Sequence, residues 1–464
     1  MPSSGLRSRR LRLSLDARRE VLRADVADVA DVADVANLPT HRVFSHSCHA
    51  AVFFTWLTSE TGAIPDFTRA WYTRGPSMQR TSPFGELPVE TFLRRHWQKK
   101  PLLVRGAFPG FVDPVTPEKL AGLACEDGVE SRLVQGRGKR WSIAWGPQPE
   151  EIFAKLPDKA WTLLVQEVNR WVPDSAELLE PFSFLPNVRV DDVMVSYAVP
   201  GGSVGAHLDS YDVFLVQGQG ERRWQWHTTP TKDRRFVDGL DLRILATFAP
   251  DADEVLGPGD MLYLPPGFAH HGVAVSPCLT YSVGFRAPSA AEAWSSFAVA
   301  AARAATDPTL LADPPLRAAE DPGAIPPELL RRVRKLVRSL DMSDAAIDRW
   351  YASFATRLKP GHTFTPPRRA LSDAAILAGL AKRVVVRSEE GRWAFLPEPT
   401  GRGIRLYLGG IEIAVPANAS ALARTLTSTR RHPGLAPRNA AEKVLILRLF
   451  SMGALRFAGA ASGR

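Results

Sequence analysis

Between Val188 and Arg286 the chain is cut into short runs of β-branched and aromatic residues, each closed by glycine or proline. Runs this short leave no room for amphipathic helices, and turn signals at this spacing predict a β-sandwich or jelly roll. Within that region, the glycine-rich stretch Val199-Pro200-Gly201-Gly202-Ser203-Val204-Gly205 leads into His207-Leu208-Asp209. Extended backbone projects residues two apart to the same side, so this imidazole and carboxylate share one face. A second imidazole, His270, follows Leu264-Pro265-Pro266-Gly267 further along.

Two histidines and one carboxylate on one side of a cation leave the opposite positions open, which is the arrangement of non-heme Fe(II) oxygenases. Other divalent ions also suit that donor set. A lone His-x-Asp occurs by chance in many chains, and the weight here comes from its surroundings. The apolar strand Val213-Phe214-Leu215-Val216 follows the first half, while Leu256 to Leu264 forms a turn and strand before the second. Ligation requires neutral imidazoles and an ionised carboxylate.

A length of 464 residues implies two or three domains. The formal net charge of +9 favours nucleic acid, ribosomes or acidic surfaces, although the arginines are spread along the chain and outline no single groove. Cys48, Cys125 and Cys278 form no CxxC pair, so neither a disulfide framework nor a cysteine-ligated zinc is indicated and a reducing cytoplasm fits. No apolar run approaches the length of a bilayer span, and no membrane partner is expected. Residues 1–80 read differently. Ala-Asp-Val repeats four times from Ala24 to Val35, a low-complexity run with no varied face to pack. Acidic residues there spoil a targeting pattern. The expectation is a disordered extension or a mispredicted start with Met78 as initiator, although Ala51 to Leu57 is apolar enough to pack.

Pro88 to Trp97 has helical period, Leu102-Leu103-Val104 reads as a strand, and Trp161, Leu164, Val165, Val168 and Trp171 recur like an amphipathic helix. After Pro288 helices dominate. Leu329, Leu330, Val333, Leu336, Val337 and Leu340 form one apolar stripe, and a second helix starts at Ser343 carrying Ile347, Trp350, Tyr351 and Phe354. The two predict a helical hairpin whose apolar face serves a dimer. A Pro-rich linker, Thr363 to Arg368, precedes a small α+β, winged-helix-like segment. Its predicted helices are Ile376–Leu380, Ser420–Thr427 and Asn439–Phe450, and its strands Val384–Val386, Arg405–Leu408 and Ile411–Val415.

Gly259-Asp260-Met261-Leu262-Tyr263-Leu264-Pro265-Pro266-Gly267-Phe268-Ala269-His270 resembles the corresponding motif of cupins and JmjC-type oxygenases. Together with Asp191 to Ser196, Val199 to Phe214 and Tyr281 to Pro288, it resembles the bacterial ribosomal oxygenases, a likeness running from about Glu86 onward. The resemblance implies a double-stranded β-helix over 81–290, a helical dimerisation region over 291–362 and a winged-helix-like domain over 369–464. It also implies Fe(II), with 2-oxoglutarate and O2 as co-substrates, and hydroxylation of an arginine Cβ in large-subunit ribosomal protein sixteen. The family's catalytic metal ligands fall on His207, Asp209 and His270, with His271 a neighbour in the less favoured register. Its basic anchor for the distal carboxylate of 2-oxoglutarate falls on Arg222. Strand alternation agrees, placing Arg222 with Trp224 on one face and Arg223 on the other. Ser196 and Ser282 could add hydroxyl contacts to the co-substrate. Tyr211 and Asp212, with Asp191 and Asp192, are candidates for holding the substrate guanidinium; alternatively these acids cap turns or pair with the chain's own arginines. Two other readings stay open: a JmjC oxygenase with another protein or nucleic-acid target, and a non-enzymatic metal-binding cupin regulator. Direct nucleic-acid binding is left undecided.

Overall fold

The computed structural model describes residues 82–459 apart from 138–139, 241, 306–310, 312, 314–321, 367–370 and 400. The expectation for residues 1–80 lies wholly outside them. Helix α1 (Val89–Arg95) leads to strand β1 (Leu102–Val104), and α2 (Pro117–Ala124) begins at Thr116, whose side chain accepts from Lys119 N. The hairpin β2 (Ser131–Arg137) and β3 (Arg140–Trp145) precedes β4 (Trp161–Val165), the short α3 (Val168–Trp171), and β5 (Val190–Ala198). Strands β6 (Asp212–Gln217), β7 (Arg222–Trp226), β8 (Ala252–Leu256), β9 (Met261–Leu264), β10 (His270–Ala274) and β11 (Cys278–Phe285) complete the β region.

Two antiparallel sheets result, one ordered β1-β9-β6-β11-β5-β4-β2-β3 and a smaller one ordered β10-β7-β8. This is a jelly roll, one of the two architectures expected from the strand rhythm and the one that the resemblance implied. Alternation divides its core. Phe214, Val216, Val283 and Phe285 turn to an outer cluster shared with Phe92 of α1 and Leu120 of α2. Val213, Leu215, Trp224, Trp226, Leu262 and Leu264 meet between the sheets. Strands such as β6 and β11 are buried along their whole length because both faces are covered.

One expectation is overturned here. Trp161, Leu164 and Val165 stand in β4, paired with β2 and β5, and only Val168 and Trp171 are helical. A strand buried on both faces is continuously apolar, so its residues supply matches to a helical spacing by accident.

Beyond β11, α4 (Ala290–Ala304) starts at the Ser289 cap, α5 (Pro327–Arg338) carries the basic-apolar stripe, and α6 (Asp344–Thr356) starts at the Ser343 cap. Helix α6 rests on α4 through an edge contact of Trp350 and Phe297 at 5.4 Å. The last segment contains α7 (Asp373–Leu380), β12 (Val385–Arg387), β13 (Trp393–Pro397), β14 (Gly403–Leu408), β15 (Ile411–Pro416), α8 (Ala417–Ser428), β16 (Arg431–His432), α9 (Ala440–Ser451) and β17 (Leu455–Phe457). They form sheets β16-β12-β17 and β13-β14-β15 around a second core that includes Trp393, Leu406, Leu426 and Leu449. Phe364, expected in a linker, is buried in this core. Among the described residues no helix is long and apolar enough to cross a membrane.

Candidate active site

The triad forms where the connection between β5 and β6 meets the start of β10. Gly205, at φ +81°, makes the turn before His207, a conformation that disfavours any side chain. His207 N then donates to His270 O and His270 N to His207 O, each at 3.0 Å. This isolated bridge brings the two imidazole centroids to 4.3 Å. His207 Nδ1 bonds Gly205 O and His270 Nδ1 bonds Phe268 O, both at 3.0 Å, which leaves each Nε2 facing Asp209. His207 Nε2 is 4.0 Å from Asp209 Oδ1, and His270 Nε2 is 3.5 Å from Oδ2. One donor atom from each of the three residues lies within 4.8 Å of the others. Burial, and then the neighbouring His207, push the His270 pKa down to about 4, so its lone pair is available. A carbonyl on Nδ1 and a free Nε2 is the tautomer a divalent cation needs, and the donor set fits one. His271 lies on the other side of β10, edge-on to Phe248 at 6.2 Å.

Strand β7 places Arg222, Trp224 and Trp226 inward, while Arg223 turns out to an ion pair with Asp253. Arg222 is 3% exposed, and the Trp224 ring lies 5.1 Å from the Arg222 guanidinium carbon and 6.0 Å from the ring of His270. Its Nη2 donates to Gly272 O at 3.2 Å, but Nε and Nη1 reach no acceptor among the described residues. The Cys278 thiol lies beside it. Opposite Trp224, Gly272 keeps the space open: a Cβ there would stand 2.7 Å from Arg222 Nε. A buried guanidinium with unpaired donors is costly, and an anionic ligand removes that cost. Ser196 and Ser282 are buried on β5 and β11, with register partners Thr280 and Met194. The alternation that sends Val195 and Val283 to the outer core sends both hydroxyls inward.

Tyr211, two residues on from Asp209 and within its electrostatic reach, enters the wall of a cavity of about 170 Å³ that is also lined by Glu130, Asp191, Asp192, Met194 and Ser282, among others. Asp209, and then burial, push the Tyr211 phenol pKa up, so its proton stays on. Asp212 is not part of this wall. It is 1% exposed, accepts from Tyr263 Oη at 2.6 Å and Gln98 Nε2 at 3.0 Å, and pairs with Arg189 at 3.2 Å. Tyr211, just before β6, lines the cavity, whereas Asp212, the first residue of β6, does not. Asp191 and Asp192 both line the cavity, and Asp191 also pairs with Lys359 and Arg392. Met194 shares the parity of Asp192 and Ser196 and could have been found from it. Glu130, Gln166 and Lys359 carry no signal in the sequence, since they arrive from separate elements.

A family model of the JmjC domain matches residues 177–293. Ribosomal protein uL16 3-hydroxylase of Escherichia coli is 39% identical over 276 residues, covering 60% of this chain and 73% of that protein. A probable ribosomal oxygenase of Haemophilus influenzae is 44% identical over 201 residues, covering 43% and 50%. The solved structure of the ribosomal oxygenase YcfD from Escherichia coli, in complex with cobalt and 2-oxoglutarate, superimposes with a TM-score of 0.67 at 33% identity, covering 81% of this chain and 99% of that one.

Proposed function

The chain belongs to the ribosomal oxygenases, the 2-oxoglutarate-dependent dioxygenases of the JmjC fold, and on that footing we propose that it hydroxylates an arginine Cβ of ribosomal protein uL16. The observation that carries the co-substrate is Arg222, a buried guanidinium with free donors one strand away from a triad fit for a metal. In this reading one dicarboxylate would answer both the open face of the metal and the unpaired guanidinium, a pairing that a regulator with a structural ion does not need.

His207, Asp209 and His270 hold Fe(II), their geometry fixed by the Nδ1 bonds to backbone carbonyls. When bound, the metal supplies with O2 and 2-oxoglutarate the oxidising power to place hydroxyl on an unactivated carbon, releasing succinate and CO2. Arg222 takes the distal carboxylate through Nε and Nη1, and Ser196 and Ser282 contribute hydroxyls. The apolar surface of Val213, Leu215, Trp224 and Leu262 keeps water away from the reacting atoms. Asp192 and Tyr211 hold the substrate guanidinium in the acidic cavity, which offsets the unfavourable approach of a basic ribosomal protein to a basic enzyme.

Helices α4 to α6 supply the dimer contact in this reading. The support is apolar surface left on them, with Trp294 and Val337 each 61% exposed. Residues 369–464 act as a winged-helix-like unit, and the enzyme works in the cytoplasm, where its substrate is made. The test is incubation with a peptide spanning the uL16 arginine, followed by mass spectrometry and succinate assay. Addition of one oxygen that depends on Fe(II) and 2-oxoglutarate supports the reading. Peptide-independent turnover alone, with oxygen added to another ribosomal protein in cells, replaces it with another target.

A further inference from the structure

The cavity that Tyr211 lines is not walled by the JmjC region alone. Lys359 lies beyond α6, outside the matched residues 177–293, yet it lines the same cavity as Asp192, Tyr211 and Ser282. Its Nζ stands 3.4 Å from Asp191 Oδ1 and 3.2 Å from Glu167 Oε1. Arg392, which precedes β13, reaches that same Asp191 oxygen at 3.1 Å and also donates to Val190 O and Ala355 O. Asp191 Oδ1 is thus shared by two cations of the C-terminal part. Asp192 is held otherwise: Oδ2 accepts from Glu167 N at 2.9 Å and, with the amide of Gln166 turned to donate, from that side chain at 3.1 Å. Its Oδ1 is the oxygen toward Gly284, another residue of the cavity wall. Glu167 adopts φ +53°, a left-handed backbone that a side chain pays for, and its N–H and carboxylate hold Asp192 and Lys359 respectively.

We propose that Lys359 is a positioning residue of the hydroxylation site, keeping the Asp191–Asp192 wall anionic and cavity-facing so that the pocket accepts a cationic side chain. This rests on the reading of the cavity as the arginine pocket. The electrostatics agree. Burial, and then the adjacent Asp191, drive Asp192 up to about 7, while Lys359 and the Glu167 N–H oppose them. Burial works against Lys359, yet Asp191, Asp192 and Glu167 keep its ammonium above lysine's usual range. Besides these groups, Tyr211 and Glu130 face the cavity, and Arg132 stands behind Gln166. Removing Lys359 deletes a cation from a wall that has several anions, so Asp192 holds its proton to higher pH.

The experiment measures steady-state kinetics of full-length Lys359→Met, Lys359→Gln, Lys359→Arg and Asp192→Asn with the uL16 peptide. The expected result is a roughly tenfold rise in peptide KM at pH 7 for Met and Gln, with kcat and the 2-oxoglutarate KM unchanged and activity restored by Arg. The rise of kcat/KM with pH should move to higher pH in Lys359→Met. An unchanged peptide KM in the folded Met or Gln variant, with Asp192→Asn impaired, overturns the role of Lys359. Loss of kcat and 2-oxoglutarate affinity together, unrescued by Arg, overturns it as well by showing a merely structural part. An unchanged peptide KM in Asp192→Asn overturns the arginine-pocket reading itself.

Discussion

His207 and His270 exchange both of their backbone hydrogen bonds, N to O at 3.0 Å in each direction, so the contact that ties the β5–β6 connection to the start of β10 is also what brings the two imidazoles together. Metal geometry and the path of that connection are therefore one feature. Replacing either ring by Ala leaves the backbone bridge in place. We expect His207→Ala and Asp209→Ala to lose turnover by more than about 100-fold while far-ultraviolet circular dichroism and the melting transition stay near normal. Equilibrium dialysis with Co(II) should show the same loss of metal. Retained turnover in both variants would reject the triad.

Arg222 should give effects of opposite sign on binding and on folding. Losing charge-assisted bonds to a dicarboxylate costs about 1.5–3 kcal/mol each, so Arg222→Met should raise the 2-oxoglutarate KM by roughly tenfold to a hundredfold. The ligand-free protein sheds a buried guanidinium with unpaired donors, and its denaturant midpoint should hold or rise. A lowered midpoint with an unchanged KM would assign Arg222 to the core.

Asp212 should behave as a structural acid. Its carboxylate serves Tyr263, Gln98 and Arg189 away from the cavity, so Asp212→Asn should destabilise by about 1–3 kcal/mol in urea unfolding and leave the peptide KM alone. A raised KM at unchanged stability would return Asp212 to the substrate pocket.

Asp192 sets the expected pH dependence. Its pKa is raised to about 7, so it is mostly protonated at pH 6 and mostly ionised at pH 8. The ionised form pairs with a guanidinium, hence kcat/KM for the peptide should climb across that window. In Asp192→Asn the climb should disappear; its persistence would assign the titration elsewhere.

The apolar face of the helical region should govern self-association. Val337 is exposed on α5, and burying a side chain of that kind is worth about 1.5–3 kcal/mol. Val337→Glu should lower the sedimentation mass toward that of a monomer and leave the metal site intact. An unchanged mass would place the dimer contact on other residues.

The sequence by itself determined the strand rhythm, the His-x-Asp with its distant His, the inward face of Arg222 and the helix cap at Ser343. Each of these depends on local periodicity or on a short motif, which chemistry imprints over a few residues. Motif register already favoured His270 over His271, and the tertiary structure gave the physical reason: the backbone bridge pairs His270 with His207, and a one-residue change of strand parity turns His271 to the other face. Tertiary structure alone decided that Trp161 to Val165 is a strand, since burial on both faces erases the alternation that marks one. It also turned Asp212 into a core acid and carried Lys359 from beyond α6 to the cavity wall. Those outcomes depend on which distant segments pack together, and a linear pattern of residues does not encode them.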